Sequence, residues 1–144
     1  MKSILAKIKT LELRLASNDF QKYKELHPNT KKTPSDPMFS GEYQFNHKTE
    51  PGTHGDSHYI TVHHKPTGKQ VGSVGFKTNS LGELQVDSSN DEHEPNVEKK
   101  HRRKGLGTSM YTHAEDISGK KIIPTGWLSG DGSKLWKQKN RPFG

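Results

Sequence analysis

Apolar residues between positions 2 and 16 recur at spacings of three and four: Ile4, Leu5, Ile8, Leu11 and Leu15, with Lys7, Lys9, Glu12 and Arg14 between them. That period predicts an amphipathic helix. Ser17, Asn18 and Asp19 then offer capping side chains ahead of Phe20, Tyr23 and Leu26, predicting a second short helix that ends at His27-Pro28. Residues 28–41 hold three prolines and little to bury before Met38 and Phe39, which predicts a loop.

The period changes to two after residue 41. Tyr43 to Asn46, His58 to His64 and Gln70 to Phe76 read as strands, with Ile60 and Val62 on one face of the second. In the third, Gly72, Val74 and Phe76 alternate with Val71, Ser73 and Gly75. Pro66-Thr67-Gly68-Lys69 supplies a turn between the second and third, so an antiparallel hairpin is expected. Another turn at Asn79 to Gly82 leads into Glu83 to Asp87, where Leu84 and Val86 alternate with polar neighbours. The pattern predicts a meander of three or four strands.

Residues 87–94 are acidic and polar, and the charge then flips to Lys99, Lys100, Arg102, Arg103 and Lys104. Past Gly105 and Gly107, apolar positions return to helical spacing at Leu106, Met110, His113 or Ala114, and Ile117, with Gly119 placed to end the helix in a left-handed conformation. Lys120 to Ile123 reads as a short strand closed by Pro124, and a last short helix is expected after a cap at Ser129 or Asp131. The fold class is therefore α+β, with residues 1–40 as N-terminal helices and a proline-containing loop, and 41–144 as the core of one compact domain.

Composition narrows the chemistry. With 26% hydrophobic residues in 144 positions, the core must be small. The chain has no cysteine, which removes disulfides, thiolate nucleophiles and cysteine-ligated metals together. Its nine histidines include His54, His58, His63 and His64, but adjacent His63 and His64 would point to opposite faces of a strand, so no metal site is expected. No apolar run approaches the roughly 20 residues that span a bilayer, so a soluble, cytoplasmic protein without membrane partners is expected. The net charge of +7 favours anionic ligands such as nucleic acid or phosphorylated cofactors.

The stretch VEKKHRRKGLGTSMY, residues 97–111, sets six positive or potentially positive side chains against two glycines at a helix start. Such a start presents backbone N–H groups without intrahelical partners and carries about half a positive charge, which suits an anion. Gly105 and Gly107 would leave those amides accessible, and Arg102, Arg103 and Lys104 would add positive charge beside them. A phosphate or pyrophosphate is the ligand these residues favour.

This stretch resembles the acetyl-coenzyme-A-binding signature of the GCN5-related N-acetyltransferase (GNAT) family, (Gln/Arg)-x-x-Gly-x-(Gly/Ala), with Arg102, Gly105 and Gly107 at its fixed positions and Val97 at the apolar strand end. The final segment resembles the family's Asn-x-x-Ala-x-x-Leu-Tyr pattern, with Ser129, Gly132, Leu135 and Trp136 at the four positions; Ser129 and Trp136 depart from it. IIPTGWLSGDGSKLWKQKNRP is also similar to the ending of small phage-encoded members. The resemblance covers roughly residues 41–144.

It implies a mostly antiparallel mixed sheet flanked by helices, shortened at the C-terminus, that transfers an acetyl group directly from acetyl-CoA to an amine on a protein, a small molecule or RNA. The resemblance would place the cofactor on Val97, Arg102, Arg103, Lys104, Gly105, Leu106, Gly107, Thr108, Ser129 and Trp136. Its thioester arm would lie between two splayed strands, one ending near Asp87 or Val97 and the other at Ile122-Ile123. If the chain is phage-encoded, it would act in the host cytoplasm.

An amine must lose a proton to attack, and Glu83 and Asp87 are the candidate bases on the strand expected over Glu83 to Asp87. Trp136 occupies the place of the family's usual proton-donating tyrosine, with Tyr111 the nearest alternative by sequence. A second reading is a nonenzymatic basic module in which residues 98–104 contact nucleic-acid phosphates on the same scaffold.

Overall fold

The computed structural model describes residues 18–87, 96–102, 104–124 and 135–144. The helix expected over 2–16, Arg103, and Ser129 with its cap lie outside these residues. Residues 18–26 form a helix, α1. Four strands follow as an antiparallel meander: β1 (Tyr43–Glu50), β2 (Ser57–His64), β3 (Lys69–Thr78) and β4 (Leu84–Val86). A fifth strand, β5 (Asn96–Val97), also pairs with β3, and α2 (Leu106–Ser118) follows it.

Register explains the core. Ile60 pairs with Val74, His58 with Phe76, Phe76 with Val86, and Thr78 with Leu84, so these side chains share one sheet face. Ile60, Phe76 and Leu84 are fully buried there. α2 covers that face through Leu106, Met110, Tyr111 and Ala114, which join the same cluster. Tyr59, Thr61, Ser73, Gln85 and Asp87 occupy the other face and are only half-buried.

Val71 departs from simple alternation. The β2–β3 register slips between Val62 and His63, so that Val62 faces Gly72 while His63 faces Gln70. The extra residue is Val71, and the bulge turns it into the core, where it is 3% exposed.

β4 and β5 are two parts of one path along β3. Phe76 pairs with Val86, Asp87 N–H donates to Gly75 C=O at 2.8 Å, and Ser73 then pairs with Asn96. Val74 thus lies between the β3 positions that β4 and β5 take up, and the acidic 88–95 stretch lies outside the described residues.

The segment before β1 is held to α2 by a polar network. The Lys32 ammonium donates to the Ser109 hydroxyl at 2.7 Å, the Ser109 carbonyl at 2.9 Å and Asp36 Oδ2 at 3.0 Å. The Tyr23 hydroxyl and the Thr30 hydroxyl both donate to Asp116 Oδ2 at 2.6 Å. Phe20 and Phe39 add an edge-to-face ring pair at 5.5 Å.

Candidate functional site

The chain runs from β5 through a 3-10 turn at Lys99–His101 into α2, then returns beside β4. There Leu84 and Ile122 form a parallel bridge, with Ile123 N–H donating to Leu84 C=O at 2.8 Å. The bridge is isolated and does not continue to Val86. The expected strand over Lys120–Ile123 is thereby reduced to one paired position.

The dimensions of this β–α–β unit agree. β3 pairs with Leu84 at Thr78 and with Val97 at Gly72, a separation of roughly 20 Å at about 3.3 Å per residue. α2 has 13 residues, or roughly 20 Å at 1.5 Å each, which returns the chain to the level of Leu84. The start of α2 consequently stands at the carboxyl end of the β4–β5 path. The single parallel bridge lies at the opposite end.

That helix start has an unusual cap. Gly105 occupies the cap position at φ +78°, ψ +13°, and supplies no side chain to the first-turn amides. The left-handed conformation is what requires glycine at 105, because a side chain there is strained even though its nearest neighbour would be Pro37 at 3.9 Å. Gly107 differs from Gly105: it is helical, and an added Cβ would stand 3.8 Å from Leu135, an ordinary contact, so neither backbone conformation nor packing requires glycine there.

Leu106 is 2% exposed and belongs to the core, while Thr108 is half-buried and its carbonyl accepts the Thr112 hydroxyl at 2.8 Å. Val97 packs against the core from β5. Arg102 is exposed, and its Nε donates to the Val97 carbonyl at 2.9 Å, fixing the turn before the helix. Lys104 lies 3.7 Å from Glu42, which also receives His64 Nε2 at 3.2 Å. His101 Nδ1 and the Tyr43 hydroxyl are 2.8 Å apart and tie the basic turn to the start of β1. Sequence spacing gave no sign of Glu42, Tyr43 or Leu135 at this place, since each arrives by tertiary packing.

The two candidate bases differ. Glu83 sits in the β3–β4 turn, where its N–H donates to Asn79 Oδ1 at 2.9 Å and its Oε1 lies 3.4 Å from Asn79 Nδ2. That is a turn-stabilising position. Asp87 lies where the strand leaves β3, opposite Gly75 and on the face away from α2, with Tyr59 across Gly75 on β2. Asp87 is half-buried there.

Trp136 belongs to an aromatic group over α2, with ring centroids 6.3 Å from Tyr111 and 5.1 Å from Phe143, and the Arg141 guanidinium 5.1 Å above it. Its indole Nε1 is buried without a hydrogen-bond partner. Tyr111 is 1% exposed, and burial pushes its phenol up to about 12. These contacts make both residues packing elements.

Among the described residues, no three histidine or acidic side chains converge as metal ligands, and no helix is long and apolar enough to cross a membrane. No family model, curated protein or solved structure matches the chain.

Proposed function

We propose that the chain is an acyl-CoA-dependent N-acetyltransferase of the GNAT type. The observation that carries this reading is a helix start with a left-handed glycine cap at the carboxyl end of the β4–β5 path, opposite the Leu84–Ile122 bridge, which is the one parallel pairing among the described residues. In open α/β units, ligands bind beyond the carboxyl ends of the strands, where a helix start faces them. The amides of Leu106, Gly107 and Thr108 would take the pyrophosphate of acetyl-CoA, with Lys104 and Arg102 beside it. The outer edge of β4 beyond Leu84 would receive the thioester arm.

Transfer requires an unprotonated amine, and Asp87 is the group proposed to hold the departing proton. The amine nitrogen forms its bond to the acetyl carbon as the thioester C–S bond breaks. The leaving thiolate takes its proton from water, since Trp136 and Tyr111 are committed to packing. Glu83 holds the turn.

Calorimetric titration with acetyl-CoA tests the reading. Micromolar binding is expected, and Lys104→Glu together with Arg102→Glu should abolish it while circular dichroism stays unchanged. Absence of both heat and thermal shift at saturating acetyl-CoA would leave the nonenzymatic nucleic-acid module as the better account.

A further inference from the structure

Pairing brings two separated basic segments to one end of the sheet. Lys65 N–H donates to Glu42 C=O at 2.8 Å, placing the β2–β3 turn beside the entry to β1. Glu98 N–H donates to Val71 C=O at 2.7 Å, placing the 99–104 turn beside the start of β3. The His64 and His101 rings, 4.7 Å apart, join the two turns directly.

Lys65, Lys69, Lys99, Lys100, Arg102 and Lys104 are all exposed at this end. The carboxylates among the residues just named are Glu42 and Glu98, so positive charge is in clear excess. We propose that this end of the sheet, from the β2–β3 turn to the 99–104 turn, is a docking surface for the phosphate backbone of a nucleic acid. It extends past the helix start to a hairpin turn that the acetyl-CoA site does not use, and it stands independently of the transferase reading.

The chemistry of the surface selects the partner. Protein interfaces rest on buried apolar and aromatic anchors, and stable membrane docking adds inserted apolar side chains to basic charge. The exposed large hydrophobic residues among the described ones are Leu26 and Leu81, and neither lies at this end. Phosphate contacts need only Lys and Arg distributed over an accessible surface, and they give affinity without sequence preference.

Fluorescence anisotropy with a labelled RNA hairpin and a DNA duplex of the same sequence tests the proposal and shows which form binds more tightly. Binding to at least one should weaken steeply between about 50 and 200 mM salt. The double variant Lys65→Glu/Lys69→Glu should lower the slope of log K against log salt by about two and weaken binding, with acetyl-CoA binding unchanged. Lys99→Glu/Lys100→Glu should act the same way, which guards against one variant being misfolded. Salt-insensitive binding, full affinity in both double variants, or equally tight binding of poly-glutamate would overturn the proposal. Loss of acetyl-CoA binding in wild-type protein would overturn the transferase reading alone.

Discussion

The Lys32 ammonium is wholly enclosed and lies 2.7 Å from the hydroxyl of Ser109, a residue 77 positions away on α2. Its three donors all find oxygen acceptors, and the Ser109 hydroxyl in turn donates a hydrogen bond to Asp36 Oδ1 at 2.6 Å. Burial lowers the lysine pKa and Asp36 opposes that shift.

Lys32→Met keeps the stem but removes the charge, leaving Asp36 partly desolvated without its cation. Breaking a buried pair from one side costs about 3–5 kcal/mol. Urea denaturation should show a loss near that size, and Lys32→Met/Asp36→Asn should recover part of it. A loss below about 1 kcal/mol would mean that the ion pair contributes no more than a surface pair.

His113 gives the protein an acid-sensitive joint. Tyr23 donates its one proton to Asp116, so His113 Nδ1 must carry the proton in the 2.8 Å contact with Tyr23, leaving Nε2 to face His47 Nδ1 at 3.4 Å. Burial, aided by Lys32 and the neighbouring imidazoles of His47 and His27, pushes its pKa down to about 3. The unfolded chain takes up this proton near pH 6.5 while the folded chain does not, so stability is complete above that pH and declines as pH falls toward 3. The slope from one such group is about 1.4 kcal/mol per pH unit. His58, also lowered mainly by burial, acts in the same direction. His113→Gln should flatten the dependence of the urea midpoint on pH between 6 and 4; an unchanged slope would show that other groups control acid sensitivity.

The elements most legible in the sequence are those whose signal is local. The β2–β3 hairpin follows from alternation around Pro66-Thr67-Gly68, and α2 follows from Leu106, Met110 and Ala114 ending at Gly119, which takes φ +68°. Val71 was not legible, because one register slip reverses its face. Glu42, Tyr43 and Leu135 reach the candidate site only through contacts far apart in sequence, and no periodicity encodes these. The basic stretch was visible as charge, but its continuation to Lys65 and Lys69 exists only once β5 pairs with β3.

Glu115 fastens the returning strand. One oxygen, Oε2, accepts the N–H of Ile122 at 2.8 Å and of Gly144 at 2.9 Å, holding residues on two segments against α2. Glu115→Ala leaves the Ile122 N–H without that partner, at about 1–3 kcal/mol. Glu115→Gln keeps a carbonyl acceptor and should cost less. Amide exchange at Ile122 and Ile123 should quicken in Glu115→Ala before global unfolding does; equal protection in wild type and variant would remove Glu115 from this role.

Gly105 and Gly107 should respond in opposite directions to the same change. Gly105→Ala forces a side chain into the left-handed region and should cost about 1–2 kcal/mol. Gly107→Ala meets Leu135 at ordinary contact distance in a helical position, so stability should rise by up to about 1 kcal/mol. Thermal melts of the two variants check the contrast, and a destabilised Gly107→Ala would show that the Leu135 contact is tighter than its 3.8 Å spacing suggests.

Asp87 and Glu83 separate the proposed chemistry from the fold. Glu83 is tied to Asn79 within a turn, so Glu83→Gln should leave turnover largely intact and lower stability slightly. Asp87 stands at the strand departure opposite Gly75, on the face free of α2, and removal of a general base typically lowers rate about 100-fold or more. Asp87→Asn should therefore reduce kcat for acetyl transfer with KM for acetyl-CoA unchanged, and the loss should shrink as pH rises and more of the amine is already neutral. Equal loss at every pH would assign Asp87 to structure, and the proton would then have to leave through water.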